Sequence, residues 1–279
     1  MMRRPDARTA LYGIIGHPVG HSLSPVFQNA AFSAIEMNAV YLAFDVAPSA
    51  LGDALRGVRA LGILGLSVTI PHKEAVISFL DEVDGDARSI GAVNTVLNRD
   101  GRLIGMNTDW LGAVQALESA TPIAGKKVLV IGAGGAARAV CYGVTRKGAV
   151  LHVANRTPEK ARVLAEAFGG DWSGLDGLAG VRPSIVVNTT SVGMAPDADR
   201  SPVPASVLEG VEVAMDIVYR PRETRLLREA RAAGCLTVDG LAMLLHQGAA
   251  QFGIWTGRNA PLDTMEEALA EAISGKEPA

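Results

Sequence analysis

A lysine and an aspartate, Lys73 and Asp109, each stand just after an apolar run, in LSVTIPHKE and GMNTDW. A lysine beside a carboxylate is a workable acid–base pair. Burial or neighbouring charge brings an ammonium proton within reach of neutral pH, and a carboxylate orients the ammonium while hydrogen-bonding a substrate hydroxyl. Such a pair suits a reaction in which a carbonyl and an alcohol interconvert. Taken singly, Lys73 also reads as a surface residue and Asp109 as a helix cap, and the sequence does not show that the two meet. A second stretch, GHPVGHSLSPVFQN, places Ser22 and Ser24 before Pro25. Ser24 suits an N-cap and Pro25 the first helical position. Two hydroxyls at a helix start also make a cradle for an anion such as a carboxylate, because the first turn carries unpaired N–H groups and the positive end of the dipole.

A third stretch, VLVIGAGGAARAV, gives a G-x-G-x-x-A pattern over Gly132, Ala133, Gly134, Gly135, Ala136 and Ala137, after an apolar strand and at the start of a helix. That is the context of a dinucleotide-binding loop: the first glycine for the tight turn, the second for close approach of a pyrophosphate, the alanine for close helix–strand packing. In NAD binders the next strand ends in a carboxylate that holds the ribose hydroxyls. Here AVLHVA ends in Asn155, Arg156 and Thr157. An amide, a guanidinium and a hydroxyl suit a 2′-phosphate, so the spacing predicts NADP over NAD.

These residues need elements to position them. LYGIIG, VYLAFDV, ILGLSV, AVNTVLN and RLIGMN read as strands, while FQNAAFSAIEM, PSALGDALRGVRAL and PHKEAVISFLDEV have helical spacing. Asn98–Arg99–Asp100–Gly101 predicts a hairpin turn. A second series opens at KKVLVIGAGGAARAV and runs through AVLHVANRT, SIVVNTT and VEVAMDIVY. The boundary falls between Asn107 and Ala120, with a helix making the join. From Leu241 on, the chain returns to amphipathic helix, and helices that follow a βα series can pack back onto the first domain.

The bulk properties exclude other classes. Of 279 residues, 48% are hydrophobic and 20% charged, and the formal net charge is −3. No run of like charge argues for nucleic acid or a membrane surface. Arg3 and Arg4 read as a frayed terminus, since no apolar segment follows them. The apolar stretch from Leu241 to Trp255 is interrupted by His246, Gln247 and Gln251 and is too short to span a bilayer. Cys141 and Cys235 are far apart, lack metal-ligand spacing and read as free thiols of a reducing cytoplasm.

Laid out in order, GHPVGHSLSP, VTIPHKE, GAVNT, NTD, GAGGAARA, NRT, NTTSVGM, DIVY and DGLAMLLHQGAAQF resemble the shikimate dehydrogenase family over nearly the whole chain, from Tyr12 to Pro261. The resemblance implies an N-terminal mixed-sheet α/β substrate domain (1–107), a Rossmann-type NADP-binding domain (108–240) and C-terminal helices (241–279) that return to the first domain. It implies NADP-dependent reduction of 3-dehydroshikimate to shikimate, in the cytoplasm, by a monomer or homodimer that takes no metal. It makes Lys73 and Asp109 the catalytic pair. It gives Ser22 and Ser24 to the substrate carboxylate, and Thr69, Asn94 and Gln247 to the ring hydroxyls, with Tyr219 near the substrate. Gly132 to Ala137 would hold the pyrophosphate and Asn155, Arg156 and Thr157 the 2′-phosphate, with Gly240 and Met243 near the nicotinamide. Three positions depart from the family's usual pattern: Gln28 for His, Ser67 for Asn, and Trp110 where Gly is common. They leave open a quinate/shikimate or aminoshikimate-type dehydrogenase with broader substrate or NAD use. A sensor that binds NADP or shikimate without catalysis is the third reading, disfavoured by the presence of both Lys73 and Asp109.

Overall fold

A computed structural model describes residues 5–275. Arg3 and Arg4, read above as a frayed terminus, lie outside the described residues. The chain divides into two units, one made of the residues up to Thr108 together with those from Gln247 on, the other of Asp109–His246.

The first unit carries β1 (Ala10–Gly16), α1 (Ser24–Ala34), β2 (Ala39–Asp45), α2 (Leu51–Ala60), β3 (Gly65–Val68), β4 (Glu82–Val83), α3 (Gly85–Ile90), β5 (Thr95–Arg99) and β6 (Arg102–Met106). The second carries α4 (Asp109–Glu118), β7 (Lys127–Ile131), α5 (Gly135–Arg146), β8 (Val150–Asn155), α6 (Pro158–Ala167), β9 (Asp171–Gly174), β10 (Ile185–Asn188), β11 (Val213–Asp216), α7 (Arg225–Ala232) and β12 (Leu236–Val238). Helix α8 (Gly240–Thr256) starts in the second unit and ends in the first, and α9 (Leu262–Ser274) belongs to the first.

The first sheet runs β2-β1-β3-β5-β6-β4 and is mixed. β1 pairs in parallel with β2 and β3, while β5 is antiparallel to both β3 and β6. The hairpin between β5 and β6 turns on Asp100 and Gly101, both at positive φ (53° and 84°), as a two-residue turn matched to strand twist requires. Leu51, Leu55 and Val58 recur at helical spacing on α2 and join Ile15, Leu66, Val68 and Val96 in one core layer. Aromatic residues pack elsewhere in the same unit: Tyr12 against Phe32 (5.1 Å between centroids), Phe32 against Phe252 (5.5 Å), Tyr12 against Trp255 (5.7 Å). α9 lies against α1.

The second sheet runs β12-β11-β10-β7-β8-β9, and every pair is parallel. Counted along the chain this is strand order 3-2-1-4-5-6, the doubly wound arrangement. Its strands read as near-continuous Val, Ile and Leu because such a sheet is covered on both faces.

The segment PHKEAVISFLDEV departs from its helical spacing. Ala75–Phe79 forms only a 3₁₀ turn, followed by the short strand β4 and the separate helix α3. The cause is a competing hydrogen bond. The Lys73 carbonyl accepts from Val93 N–H at 2.8 Å, and Ile77 N–H turns to the Glu74 carbonyl at 3.3 Å, so the α-helical ladder does not extend. β9 and β12 also escape the pattern. Each is a short edge strand, and Asp-Trp-Ser-Gly and Leu-Thr-Val offer too few apolar residues to show alternation.

Gly65 in β3 admits the indole of Trp255, whose Nε1–H donates to the Val96 carbonyl at 3.1 Å. A Cβ at Gly65 would lie 2.5 Å from Trp255 Cδ1. Gly65→Ala is therefore expected to cost about 1–3 kcal/mol of stability. Gly57→Ala, in α2 where a Cβ meets nothing within 4 Å, should instead add about 0.5–1 kcal/mol. Urea unfolding midpoints of the two variants check both signs.

Candidate active site

The turn after β1 delivers the paired serines. Ser24 is the first residue of α1 and not its cap, contrary to the sequence expectation. Leu23 occupies the N-cap with φ −88° and ψ −6°, makes no side-chain cap bond, and is buried. The residue before Ser24 is thus already in helical geometry, which moves the helix start one position earlier. Ser22 takes part of the capping role, its Oγ accepting from Ser24 N–H at 3.2 Å. No acidic residue stands in the first turn, so the dipole end stays positive. Ser24 itself is buried.

β3 delivers Thr69 and, four residues on, the half-buried Lys73. Gly16 makes room for Thr69, since a Cβ there would stand 2.5 Å from Thr69 Cγ2. Asn94, just before β5, is buried and bonded through both of its side-chain polar atoms. Its Oδ1 accepts from Thr108 N–H (2.7 Å) and from the Thr95 hydroxyl (2.7 Å). Its Nδ2 donates to Thr108 Oγ1 (3.0 Å) and to Gln247 Oε1 (3.3 Å). The structure therefore brings Asn94 and Gln247 together. It adds residues the sequence reading passed over. Gln251, one turn after Gln247, donates from Nε2 to the Asn94 carbonyl (3.0 Å) and to Thr95 Oγ1 (3.1 Å), and its Oε1 accepts from Ser67 (2.7 Å). Ser67 in turn accepts from the Tyr41 hydroxyl at 2.6 Å. Burial raises the Tyr41 phenol far above its ordinary pKa, so it stays protonated and can donate. The signal was present in the polar residues Gln247 and Gln251, spaced four apart in an otherwise apolar run. Gln28, one of the departures noted above, is fully buried and donates from Nε2 to the Gly248 carbonyl at 2.9 Å, fastening α1 to α8.

In the second unit, Asp109 is the buried first residue of α4. Trp110 lies under the Arg146 guanidinium (5.5 Å to the ring centroid) and edge-on to Tyr142 (5.5 Å), which accounts for its bulk by packing. The glycine loop follows β7. Gly132 has φ +118°, and a Cβ there would fall 2.5 Å from Thr189 Oγ1, so no other residue fits. Ala133 leads to Gly134, the N-cap of α5, which makes no side-chain cap bond; no acid stands in the first turn, which holds Gly135, Ala136 and Ala137. A Cβ at Gly134 meets nothing within 4 Å, so a side chain there would fill space the fold leaves open. Ala137 is fully buried against the sheet. The loops after β7 and β10 flank the point where strand order reverses, the place where doubly wound sheets take ligands. An anion of pyrophosphate type fits this uncapped, acid-free helix end.

At the end of β8, Asn155 Nδ2 donates to the Thr157 carbonyl at 3.0 Å, while Arg156 and Thr157 are exposed. The three positions carry no carboxylate, so the site fits a 2′-phosphorylated ribose better than a plain one. Gly240 opens α8 against the chain after β11: a Cβ there would lie 2.4 Å from the Ile217 carbonyl oxygen. Met243 is packed in the core of the unit with Val213 and Met215. Tyr219 follows β11, and burial raises its phenol pKa.

Asp216 ties the second unit's loops together. It is fully buried at the end of β11 and accepts from Asn188 Nδ2 (2.9 Å), Val218 N–H (3.0 Å) and the Thr224 hydroxyl (2.7 Å). Asn188 reaches onward, its Nδ2 to the Val192 carbonyl and its Oδ1 to Thr190. Burial outweighs these bonds and pushes the Asp216 carboxyl up to about 6.

A parallel 3-2-1-4-5-6 sheet, a glycine loop at its switch point and a basic, carboxylate-free second-strand end define a dinucleotide-binding α/β protein. Comparison with known proteins narrows the class. Three family models match: the shikimate dehydrogenase substrate binding domain over residues 14–96, shikimate / quinate 5-dehydrogenase over 115–188, and the shikimate 5′-dehydrogenase C-terminal domain over 240–270. A shikimate dehydrogenase (NADP+) of Thermococcus kodakarensis is 53% identical over 273 residues, covering 96% of this chain and 99% of its own. A crystal structure of a shikimate dehydrogenase in complex with NADP+ matches with a TM-score of 0.93 at 44% identity, covering 97% of this chain and 98% of that one. The shikimate 5-dehydrogenase of Thermus thermophilus, in complex with NADP(H) and shikimate, matches with a TM-score of 0.90 at 42% identity, covering 95% of this chain and 100% of that one. The chain belongs to the shikimate dehydrogenase family. Among the described residues no helix is long and apolar enough to cross a membrane.

The elevated Asp216 pKa has a thermodynamic sign. The folded chain keeps a proton there that the unfolded chain releases nearer pH 4, so this contribution to stability is full below about pH 4 and is lost as pH rises through 6. Asp216→Asn should remove that slope. The difference between wild-type and variant unfolding free energies should change by on the order of 2–3 kcal/mol between pH 4 and 7. Denaturant titrations across that range measure it, and parallel curves would contradict the assignment.

Proposed function

We propose that this chain is an NADP-dependent oxidoreductase that reversibly reduces 3-dehydroshikimate to shikimate in aromatic amino-acid biosynthesis. The observation that carries the reading is full-length similarity, at 42% identity, to a chain crystallised with NADP(H) and shikimate. The carboxylate-free end of β8 supports the phosphorylated cofactor, and the first unit's cluster of hydroxyl and amide groups supports a polyhydroxylated acid as substrate.

NADPH, when bound, supplies the hydride for the ketone carbon. The chain's own residues supply the rest. Ser22 and Ser24 hold the substrate carboxylate at the α1 N-terminus. Thr69, Asn94 and Gln247 hydrogen-bond ring hydroxyls, Asn94 being fixed by Thr95 and Thr108, and Tyr219 lies near the ring. Lys73 Nζ donates a proton to the carbonyl oxygen as it becomes an alcohol, and takes it back in the reverse direction. The Asp109 carboxylate orients the ammonium and the neighbouring hydroxyl. Gly132 to Ala137 take the pyrophosphate, Asn155, Arg156 and Thr157 the 2′-phosphate, and Gly240 and Met243 the vicinity of the nicotinamide. Residues 1–107 form the substrate domain, 108–240 the NADP domain, and the helices of 241–279 return to the first. The enzyme acts in the cytoplasm as a monomer or homodimer.

Gln28 in place of the family's usual His, together with Ser67 and Trp110, favours one second reading, a dehydrogenase that also accepts quinate. Absorbance of the reduced nicotinamide, with shikimate or quinate against NADP+ or NAD+, separates the two. Shikimate with NADP+ should be the preferred pair, and faster turnover of quinate with NAD+ would move the chain to the broader branch. Lys73→Ala should lower kcat by about 10²–10⁴-fold while the fold is kept. Arg156→Ala should raise the KM for NADP+ by roughly tenfold, a loss of about 1.4 kcal/mol, and leave NAD+ turnover unchanged.

A further inference from the structure

We propose that His72 is a positioning residue for proton transfer: its buried imidazole fixes the backbone of Lys73 against the end of β2. The role rests on Lys73 being the proton donor.

The segment between Thr69 and Val76 has few side chains to hold it. Ile70, Pro71, Glu74 and Ala75 are exposed and Lys73 is half-buried, while His72 is 0% exposed. Its ring is thus the one fully buried side chain of residues 70–75. His72 Nε2 lies 2.7 Å from the Val46 main-chain carbonyl. A carbonyl can only accept, so Nε2 carries the hydrogen and donates. Nδ1 is then the acceptor of the neutral ring, and among the described residues it has no hydrogen-bond partner. The Nε2 bond is therefore the ring's one polar anchor among those residues. Its receiving end is firm. Val46 N–H donates to the Gly16 carbonyl at 3.0 Å, which continues the pairing of β2 with β1.

Lys73 is pinned from two sides. Just before it, the His72 ring holds the chain to the end of β2. At its own carbonyl, Val93 N–H donates at 2.8 Å. Thr69 has a separate tie: its N–H donates to the Ile15 carbonyl at 2.9 Å, and Gly16 leaves room for its methyl. Loss of the His72 anchor therefore falls on Lys73 first. An ammonium on a flexible four-carbon stem depends on a fixed backbone, because proton transfer needs Nζ within about 2.6–3.2 Å of the substrate oxygen. A misplacement of about 1 Å is enough to cost on the order of 10²-fold in rate. An apolar side chain would fill the same core position without leaving an acceptor unmet. What the imidazole adds is a rigid donor that reaches Val46.

The test is shikimate oxidation with NADP+, together with Tm, for wild type, His72→Phe, His72→Gln, His72→Asn, Lys73→Ala and the His72→Phe/Lys73→Ala double variant. His72→Phe keeps a ring and loses the donor. It should lower kcat by about 10–100-fold, with the KM for NADP+ unchanged. His72→Gln carries an amide nitrogen as many bonds from Cβ as Nε2 and should recover most of that loss. The amide of His72→Asn is one bond shorter, so this variant should behave as His72→Phe does, and it carries the test if His72→Phe does not fold. Because His72 acts through Lys73, the double variant should be no slower than Lys73→Ala. A merely structural role lowers Tm and leaves kcat per folded enzyme at the wild-type value, which overturns the proposal. A loss that His72→Gln does not recover, or a further fall in the double variant, overturns it too. Unchanged kcat in Lys73→Ala would remove the acid–base reading itself, and the role of His72 with it. A fall in Lys73→Ala beside wild-type kcat in His72→Phe would keep that reading and overturn the positioning role alone.

Discussion

Asn94 is a buried amide that the first unit cannot leave unsatisfied. Its side chain binds Thr95, Thr108 and Gln247, while its main-chain carbonyl accepts from Val68 N–H and Gln251. Those partners come from the end of β3, the start of β5, the end of β6 and the middle of α8. Losing any one strands a polar group where water does not reach, at a cost of about 1–3 kcal/mol. The network thus ties α8 to the sheet and fixes the face on which Gln247, Gln251 and Ser67 lie. Residues proposed to read the substrate are held by the same bonds that hold the fold.

The second unit relies on steric exclusion more than on bonding. Gly132 and Gly240 sit where any Cβ would meet Thr189 or the Ile217 carbonyl. Close approach of this kind brings the loops after β7, β10 and β11 to the carboxyl ends of the sheet. Asp216 then locks two of those loops from beneath through Asn188 and Thr224. The cofactor-binding character of the unit is therefore a property of backbone placement, with side-chain chemistry added at Asn155, Arg156 and Thr157.

Much of this was legible in the sequence. The β5–β6 hairpin announced itself through Asp-Gly, the strands of the parallel sheet through unbroken Val and Ile, and the glycine loop through its place between strand and helix. What escaped was decided by partners far along the chain. The Lys73 carbonyl is claimed by Val93, so PHKEAVISFLDEV is not a helix despite its spacing. Leu23 is drawn into the core at the cap position, so Ser24 falls inside α1. Tyr41, Ser67, Thr95 and Gln251 each look ordinary in isolation. Their importance arises from bonds between positions 26 to 184 residues apart, which local periodicity does not encode.

The directional chain from Gln251 to Tyr41 bears on how such a site can change over evolutionary time. Each hydroxyl in it has one proton to give, and each neighbour depends on which way that proton points. Positions 41, 67 and 251 therefore do not drift independently. A replacement acceptable at one of them depends on the residue at the next, and a lineage that alters Ser67 changes which residues Tyr41 and Gln251 can tolerate. Sequence change in this buried layer therefore proceeds through epistatic steps.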